Sequence, residues 1–232
     1  MAIFDSDNEK VVEQVLRPKD AATLVLVKRD GGTARVLMGQ RHGNMAFMAN
    51  KYVFPGGRLD PGDMRIAVAH GLRPEVAARA ALGTSPARAR GLALAAIRET
   101  FEETGILLGE RAGKVPRTRA PAWKAFFAHG IVPRLDTLQM IARAVTPPNR
   151  TRRFDARFFM ADAGLIAHTL DGAENEELLT PAWLTIDEAR ALDLPSITRT
   201  VLDEVEARLG GEHDRPAPFY RFTRGKPSLV HI

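Results

Sequence analysis

Runs of apolar residues near the start of the chain predict a β-hairpin. Ala21 to Lys28 and Ala34 to Gln40 are rich in Val and Leu, and the turn signal Asp30-Gly31-Gly32 separates them. Further apolar runs predict strands at Lys51 to Phe54, from Ile106 to Leu108 onward, and at Leu138 to Val145, Arg153 to Ala161 and Ala182 to Ile186.

Helical patterns fall between these strands. Leu92 to Thr104 is the clearest, with Gly105 placed to end the helix. The Ala-rich segment Ala67 to Leu82 predicts one or two helices. Shorter helices are predicted at Pro121 to His129, at Glu188 to Leu192 with Asp187 as N-cap, and at Ile197 to Leu209 with Ser196 as N-cap. Glu212 to Ile232 contains three prolines and is predicted to be extended.

The helix ending at Gly105 carries the most informative residues of the chain. At 100° per residue, Glu99, Glu102 and Glu103 share one sector, and the apolar side chains fall in the opposite one. Carboxylates crowded in this way repel each other, but divalent cations between them would make the arrangement favourable. Oxygen ligands favour Mg²⁺ or Mn²⁺ over zinc. Arg98, at the edge of the sector, can pair with one carboxylate and fix its rotamer.

A glycine loop upstream supplies the second half of the pattern. Phe54-Pro55-Gly56-Gly57-Arg58 follows a predicted strand, and tandem glycines let the backbone approach a ligand closely. Taken alone, such a loop is an ordinary turn. Together with the acidic helix, it predicts a site in which a backbone carbonyl can reach a metal ion.

These two segments resemble the Nudix box, which is Gly, five residues, Glu, seven residues and then Arg-Glu-U-x-Glu-Glu-x-Gly-U, where U is apolar. Gly57 matches the first position, and Arg98, Glu99, Glu102, Glu103, Gly105 and Ile106 match the last part. The chain departs from the box at Thr100, a U position, and at Asp63, where the family has Glu. The largest departure is the spacing, since 34 residues from Met64 to Ile97 replace seven.

An interrupted box of this kind resembles one branch of the family, the group similar to the nucleoside-diphosphate-linked moiety X type 19 hydrolases. That group includes coenzyme A and acyl-coenzyme A diphosphatases. Thr146-Pro147 and the stretch from Arg152 to Phe159 resemble a strand of the same group. The branch implies coenzyme A as substrate, but the Leu-Leu-Thr-x-Arg-Ser signature of many coenzyme A hydrolases is missing apart from Arg41-His42. ADP-ribose, nucleotide sugars and dinucleoside polyphosphates therefore stay open.

The resemblance implies an α/β fold, namely a Nudix α/β/α sandwich with a mixed sheet. We expect a single Nudix hydrolase domain over residues 1–232, with residues 64–91 as a helical insertion. Because this insertion leaves and re-enters beside the catalytic elements, we expect it to shape substrate choice. The resemblance also implies that the Gly56 carbonyl, Glu99, Glu102 and Glu103 hold Mg²⁺ or Mn²⁺, and it leaves open which glutamate is the general base.

Residues outside the box supply further candidates. A carboxylate outside the box acts in some family members, and here Glu177 is our candidate, with Glu174 and Glu176 as rivals. Arg41, Lys51 and Arg58 are candidates for binding substrate phosphates. For Arg152, Arg153 and Arg157, structural ion pairs are favoured over a nucleic-acid patch. For Trp123, Phe126 and Phe127, a place in the core is favoured over a platform for stacked bases.

The amino-acid composition is consistent with these expectations and bears on the cellular location. The 232 residues are 45% hydrophobic and 26% charged, values typical of globular proteins. The absence of cysteine excludes disulfides and thiol nucleophiles and suits a reducing cytoplasm. No apolar run approaches the length of a membrane span. Met1 to Asp20 is polar and acidic, so we expect no secretory signal there. The net charge of +5 favours anionic partners.

From these features we expect a cytoplasmic, metal-dependent diphosphatase. Its expected partner is a small nucleoside diphosphate derivative; neither a membrane nor nucleic acid is expected, and a homodimer is left open. The alternative is a non-catalytic Nudix-fold module that binds a nucleotide or RNA. The complete set of Glu99, Glu102 and Glu103 favours the enzyme, because a module that only binds has no need of a metal cluster.

Overall fold

The computed structural model describes residues 16–44, 48–148, 150–170 and 177–232. Its strands are β1 Lys19–Asp30, β2 Thr33–Arg41, β3 Tyr52–Val53, β4 Gly56–Arg58, β5 Ile106–Leu108, β6 Glu110–Arg111, β7 Ile131–Val132, β8 Gln139–Val145, β9 Phe154–Asp162, β10 Ile166–Thr169, β11 Leu178–Thr185, β12 Pro218–Thr223 and β13 Lys226–His231. Its α-helices are α1 Pro74–Ala80, α2 Pro86–Thr104, α3 Pro121–Phe127, α4 Ile186–Arg190 and α5 Ser196–Leu209.

A large mixed sheet forms the centre of the fold. Its strand order is β11-β2-β1-β9-β8-β12-β13, and β3 and β4 add to β2 and β1. The predicted hairpin is confirmed, since β1 and β2 pair antiparallel across Asp30 and Thr33. Strand β1 then pairs in parallel with β9, and its first half pairs with β4, the glycine loop.

Helices cover both faces of the sheet, which confirms the predicted α/β/α sandwich. Ala22, Leu24 and Leu26 of β1 pack with α1, α2 and α3 on one face. Val25 and Val27 point the other way and pack with α4 and α5. Alternate residues of a strand point to opposite faces, so one central strand contributes to both cores. No α-helix among the described residues is long and apolar enough to cross a membrane.

Several element boundaries differ from the sequence predictions. Helix α2 begins at Pro86, six residues earlier than predicted, because Ser85 caps it by accepting a hydrogen bond from the Arg88 N–H at 3.2 Å. The cap of α4 is Thr185, not Asp187, and it forms a reciprocal capping box with Glu188. Ser196 is the first residue of α5 rather than its cap.

The C-terminal tail is extended as predicted, and part of it forms two strands of the central sheet. Strands β12 and β13 pair as a hairpin, and β12 joins the edge of the sheet in parallel with β8. Within the insertion, only Pro74–Ala80 forms a separate α-helix; the preceding residues 66–73 are not helical.

Candidate active site

Helix α2 carries the acidic residues and ends where the sequence predicts. Gly105 follows it with φ +69°, a left-handed conformation that suits glycine, and its N–H donates to the Phe101 carbonyl. The apolar side of the helix, including Leu94, Ile97 and Phe101, is buried as predicted. The helix thereby presents its three glutamates beside the glycine loop.

Asp63 is the central fixed carboxylate of the site. Its side chain is completely buried. It accepts hydrogen bonds from Arg98 Nε at 2.9 Å and from Arg98 Nη2 at 3.1 Å. Trp123 Nε1 and the backbone N–H of Asp60 each donate to it at 2.8 Å. Asp63, which stands where the Nudix box has Glu, therefore positions Arg98 of helix α2.

Arg98 in turn holds two of the glutamates. Its Nη1 donates to Glu99 Oε1 at 2.8 Å and to Glu102 Oε2 at 2.5 Å. Burial alone lowers the pKa of this guanidinium, but the hydrogen bonds and charges of Asp63 and Glu99 raise the pKa above its ordinary value. Arg98 is therefore permanently charged and connects the buried Asp63 to Glu99 and Glu102. The sequence predicted that Arg98 pairs with one carboxylate of the helix.

The glycine loop lies directly against the acidic helix. Gly56 N–H donates to Glu103 Oε2 at 2.9 Å. A Cβ on Gly57 would lie 2.4 Å from the Glu99 carboxyl carbon, so any side chain at this position would displace that carboxylate. Glycine thus lets the backbone and the Glu99 carboxylate approach each other as they do here.

Two of the glutamates have strongly raised pKa values. Burial raises the pKa of Glu103 to about 8, although the Gly56 hydrogen bond acts in the opposite direction. Burial also raises the pKa of Glu99 to about 7, against the charge of Arg98. The negative charge of Glu177 contributes to both shifts, which places it near them. Burial, together with repulsion between the carboxylates, therefore disfavours the ionised forms of Glu99 and Glu103 in spite of the nearby arginines.

A divalent cation bound between these carboxylates would stabilise their ionised forms. All the donors are oxygens, as Mg²⁺ and Mn²⁺ prefer. Among the described residues, however, no three His, Cys, Asp or Glu side chains form a preassembled metal site. Arg98 and the Gly56 N–H each engage carboxylate oxygens instead. The oxygen donors and the electrostatics of the site nevertheless fit such an ion.

A cavity of about 420 Å³ opens from the glycine loop across the sheet. Glu99, Glu177, Arg41 and Arg58 line it at this end. Apolar side chains and the first turn of α5 line the remainder, with Arg150 and Arg152 beyond them. The cavity is large enough for a small organic ligand and carries charged groups at both ends.

The candidate phosphate-binding residues are placed differently from one another. Arg41 and Arg58 line the cavity, and Arg41 Nε is buried without a hydrogen-bond partner. Lys51 does not line it, because its Nζ pairs with Asp193 Oδ1 at 2.6 Å. Glu177 lines the cavity, whereas its rivals Glu174 and Glu176 lie outside the described residues.

The insertion lies away from the cavity, contrary to our expectation that it shapes substrate choice. Helix α1 packs on the opposite face of the sheet, and no cavity-lining residue lies between Arg58 and Glu99. Arg143 Nη1 and Arg157 Nε donate to carbonyls of the insertion, those of Leu82 at 2.7 Å and of Ala80 at 2.9 Å. The insertion is therefore a packed structural element.

The aromatic and arginine clusters largely follow their predicted structural roles. Trp123, Phe126 and Phe127 are buried in the core. Arg157 is buried within 3.6 Å of Asp20 and Asp155, while Arg153 bonds the Thr146 carbonyl. Only Arg152 of the three predicted arginines lines the cavity. Neither the Trp123 hydrogen bond to Asp63 nor the place of Phe154 and Phe158 in the cavity wall was predicted from the sequence.

Comparison with known proteins identifies the fold. No protein-family model and no curated protein matches the chain. Among solved structures, the chain is similar to a Nudix hydrolase from Alicyclobacillus acidocaldarius, with 28% identity, a TM-score of 0.62, and coverage of 81% of this chain and 90% of that one.

Two further solved structures show weaker likeness. The Nudix domain of Shewanella oneidensis NrtR, complexed with ADP ribose, shares 11% identity with this chain at a TM-score of 0.49. The aligned region covers 84% of this chain and 90% of the NrtR chain. The MutT protein of Methanosarcina mazei Go1 shares 15% identity with this chain at a TM-score of 0.48. The aligned region covers 86% of this chain and 100% of the MutT chain. With the acidic helix against the glycine loop, the likeness to the Alicyclobacillus enzyme shows that this chain has the Nudix hydrolase fold and is an enzyme of that type.

Proposed function

We propose that this chain is a metal-dependent diphosphatase that hydrolyses the phosphoanhydride bond of a nucleoside diphosphate linked to another group. The observation that carries the proposal is the contact of Glu99 and Glu103 with Gly56 and Gly57 at one end of the cavity. Two carboxylates with raised pKa values and two arginines, Arg41 and Arg58, meet there. A diphosphate held at this end needs both kinds of group.

In the proposed reaction, water attacks one phosphorus of the diphosphate and the bridging P–O bond breaks. The water oxygen stays on the attacked phosphorus, and the bridging oxygen leaves with the other phosphate. A bound Mg²⁺ or Mn²⁺ would neutralise the phosphate oxygens and make water acidic enough to attack near neutral pH. We propose Glu99, Glu102, Glu103 and the Gly56 carbonyl as its ligands.

The side chains of this chain have separate proposed tasks. Arg98, fixed by Asp63, sets the rotamers of Glu99 and Glu102. Arg41 and Arg58 bind the non-bridging phosphate oxygens by charge-assisted hydrogen bonds. A carboxylate must take the proton of the attacking water, and Glu99, Glu102, Glu103 and Glu177 are the candidates.

The finer substrate assignment rests on the branch resemblance. Coenzyme A or an acyl-coenzyme A is the substrate we propose first, with ADP-ribose, nucleotide sugars and dinucleoside polyphosphates as the other candidates. The cavity supports a substrate with an apolar or aromatic part beside its diphosphate, because most of its wall is apolar. The cytoplasmic location and the homodimer stay predictions.

A hydrolysis panel tests the proposal directly. Purified chain is incubated with each substrate candidate and Mg²⁺, Mn²⁺ or chelator, and the products are separated by chromatography. We expect cleavage at the diphosphate only with a divalent ion, and its loss in Glu99→Gln. Glu75→Gln, which removes an exposed carboxylate from α1, is the matched control.

Binding experiments separate the enzyme from a module that only binds. A non-hydrolysable diphosphate analogue should bind much more tightly with Mg²⁺, because the ion bridges two anionic partners. An RNA-binding protein would lose affinity steeply with salt, and Mg²⁺ would compete with it for phosphates. Tight binding of a short RNA, without Mg²⁺-dependent binding of the analogue, would overturn the enzyme proposal.

A further inference from the structure

The floor of the cavity is a row of alanines that crosses three neighbouring strands. Ala21 of β1 pairs with Ala156 of β9, and Ala156 pairs with Ala144 of β8. All three line the cavity. On the other side of Ala21, the row continues to Arg58 of the glycine loop. Because paired residues point to the same face of a sheet, the methyl groups form a shallow track.

Aromatic side chains border this track on β9. Phe154 and Phe158 stand two residues on either side of Ala156, so all three point to the cavity face. Phe158 packs in the core below, while Phe154 is partly exposed. A flat group lying over Ala156 would contact both phenyl side chains, as a nucleobase does on aromatic residues.

The two ends of the track carry different groups. Glu99 and Glu177 are the carboxylates that line the cavity among the described residues, and both lie at the glycine-loop end. Arg150 and Arg152, on the connection between β8 and β9, line the opposite end. Three strand spacings of about 4.8 Å separate β4 from β8, so the row from Arg58 to Ala144 is roughly 14 Å long.

Helix α5 adds to the positive character of the far end. Its first turn, Ser196 to Thr198, lines the cavity, and the helix packs against β8. The N-terminus of a helix of 14 residues carries a partial positive charge. Two arginines and a helix N-terminus thus line a region of the cavity in which the lining residues, within the part of the chain that the structure describes, include no carboxylate.

From this arrangement we infer that the preferred substrate carries a second anionic group, a phosphate monoester on the nucleoside, which Arg150 and Arg152 bind at the far end of the alanine track. The inference rests on the proposed function, because it assumes that the scissile diphosphate lies beside Glu99. A phosphate on the 3′ oxygen of the ribose, as in coenzyme A, would be such a group. A phosphate on the 2′ oxygen, as in a 2′-phosphorylated dinucleotide, would be another.

Matched substrate pairs test the inference. Coenzyme A is compared with dephospho-coenzyme A, and NADPH with NADH, so that each pair differs by one phosphate. We expect kcat/KM to be at least ~10-fold higher for the phosphorylated member of one pair or both, mainly through KM, as charge-assisted contacts provide. The pair that shows the difference identifies whether the phosphate is on the 3′ or the 2′ oxygen.

Substitutions at the far end should remove this preference. In Arg150→Gln with Arg152→Gln, the ratio within the pair should fall toward one, while cleavage of the member without the phosphate stays within about twofold. Arg117→Gln removes an exposed arginine that does not line the cavity and should preserve the ratio. An unchanged ratio in the double variant overturns the assignment of these arginines.

A binding measurement keeps this result distinct from a failure of the proposed reaction. Adenosine 3′,5′-bisphosphate, adenosine 2′,5′-bisphosphate and AMP are titrated by calorimetry, which requires no hydrolysis. We expect one bisphosphate to bind at least ~10-fold more tightly than AMP, and the double variant to lose that difference. Equal binding of all three overturns the inference even if the enzyme hydrolyses every substrate. Absence of hydrolysis with tight bisphosphate binding would instead contradict the proposed function.

Discussion

Asp63 and Arg98 form a buried bidentate ion pair across 35 residues of sequence, with both oxygens of the aspartate engaged by the guanidinium. The pair joins the segment that follows the glycine loop to helix α2. Trp123, from a third segment, donates to the same aspartate. The orientation of the proposed metal-binding glutamates therefore depends on residues that are distant along the chain.

Asp63→Asn should damage both stability and turnover. Removing one partner of a buried pair leaves a charge without compensation, which costs about 3–5 kcal/mol. Arg98 would also lose its fixed position, so kcat should fall. Denaturant unfolding and steady-state kinetics measure the two effects. Asp136→Asn is the control, since its pair with Arg134 is more exposed and should contribute less than about 1 kcal/mol.

Glu102→Gln should remove activity without removing the fold. Glu102 is 38% exposed at its side chain and accepts a hydrogen bond from Arg98. The amide keeps the size of the side chain but removes its charge from the proposed metal shell. We expect turnover to fall at least ~10²-fold and stability to change by less than about 1 kcal/mol. Near-normal turnover across the substrate panel would contradict the site assignment.

Arg143→Ala should destabilise the chain and leave its substrate preference intact. Arg143 joins Asp155 to the Leu82 carbonyl of the insertion, at 2.8 Å and 2.7 Å. Loss of these bonds should lower the free energy of unfolding by about 1–3 kcal/mol. Because the insertion lies on the face opposite the cavity, relative kcat/KM values among substrates should stay the same. A changed order of substrates would show that the insertion acts on the site after all.

The metal-free chain should become less stable as pH rises. The pKa of Glu103 in the folded state, about 8, lies above its unfolded value, so between these values the folded state binds more protons. Its contribution to stability is complete below the unfolded pKa and is lost as pH rises through about 8. In denaturant unfolding with chelator, Glu103 alone should contribute a slope of about −1 kcal/mol per pH unit from pH 6 to 8. Glu99, with a folded pKa of about 7, should make the slope steeper in the lower part of this range.

Glu103→Gln is the control for this pH dependence. The amide does not titrate, so the slope should be smaller in the variant than in the wild type. Added Mg²⁺ should also reduce the wild-type slope, because a bound cation favours the ionised carboxylate. Identical slopes in the wild type and the variant would show that Glu103 is not the titrating group.

Local patterns in the sequence predicted the parts of the site that depend on neighbouring residues. The helix end at Gly105 and the β1–β2 turn follow from residues within a few positions. Pairings between distant segments were not predictable. Arg150 and Arg152 gave no sign that they border a cavity, since that depends on how β8, β9 and α5 pack.

Charge patterns proved ambiguous for the same reason. Lys51 and Arg58 both flank the glycine loop in sequence, but Asp193, from beyond β11, pairs with the lysine alone. The role of Asp63 also depended on a distant partner, because nothing near it in sequence identifies Arg98 as the group it holds. Spacing along the chain thus predicts which chemistry is present, while the partners of each charge depend on the tertiary fold.

The parallel pairing of β1 with β9 implies an order of assembly. Lys19 lies opposite Phe154, so the strand that carries the floor of the cavity must wait for a partner synthesised much later. Closing such a distant contact is slow compared with forming a hairpin or a helix. A growing chain that already contains Glu99, Glu102 and Glu103 therefore still lacks the walls of the cavity that β8 and β9 supply. The cavity is complete only when the second half of the chain has been made.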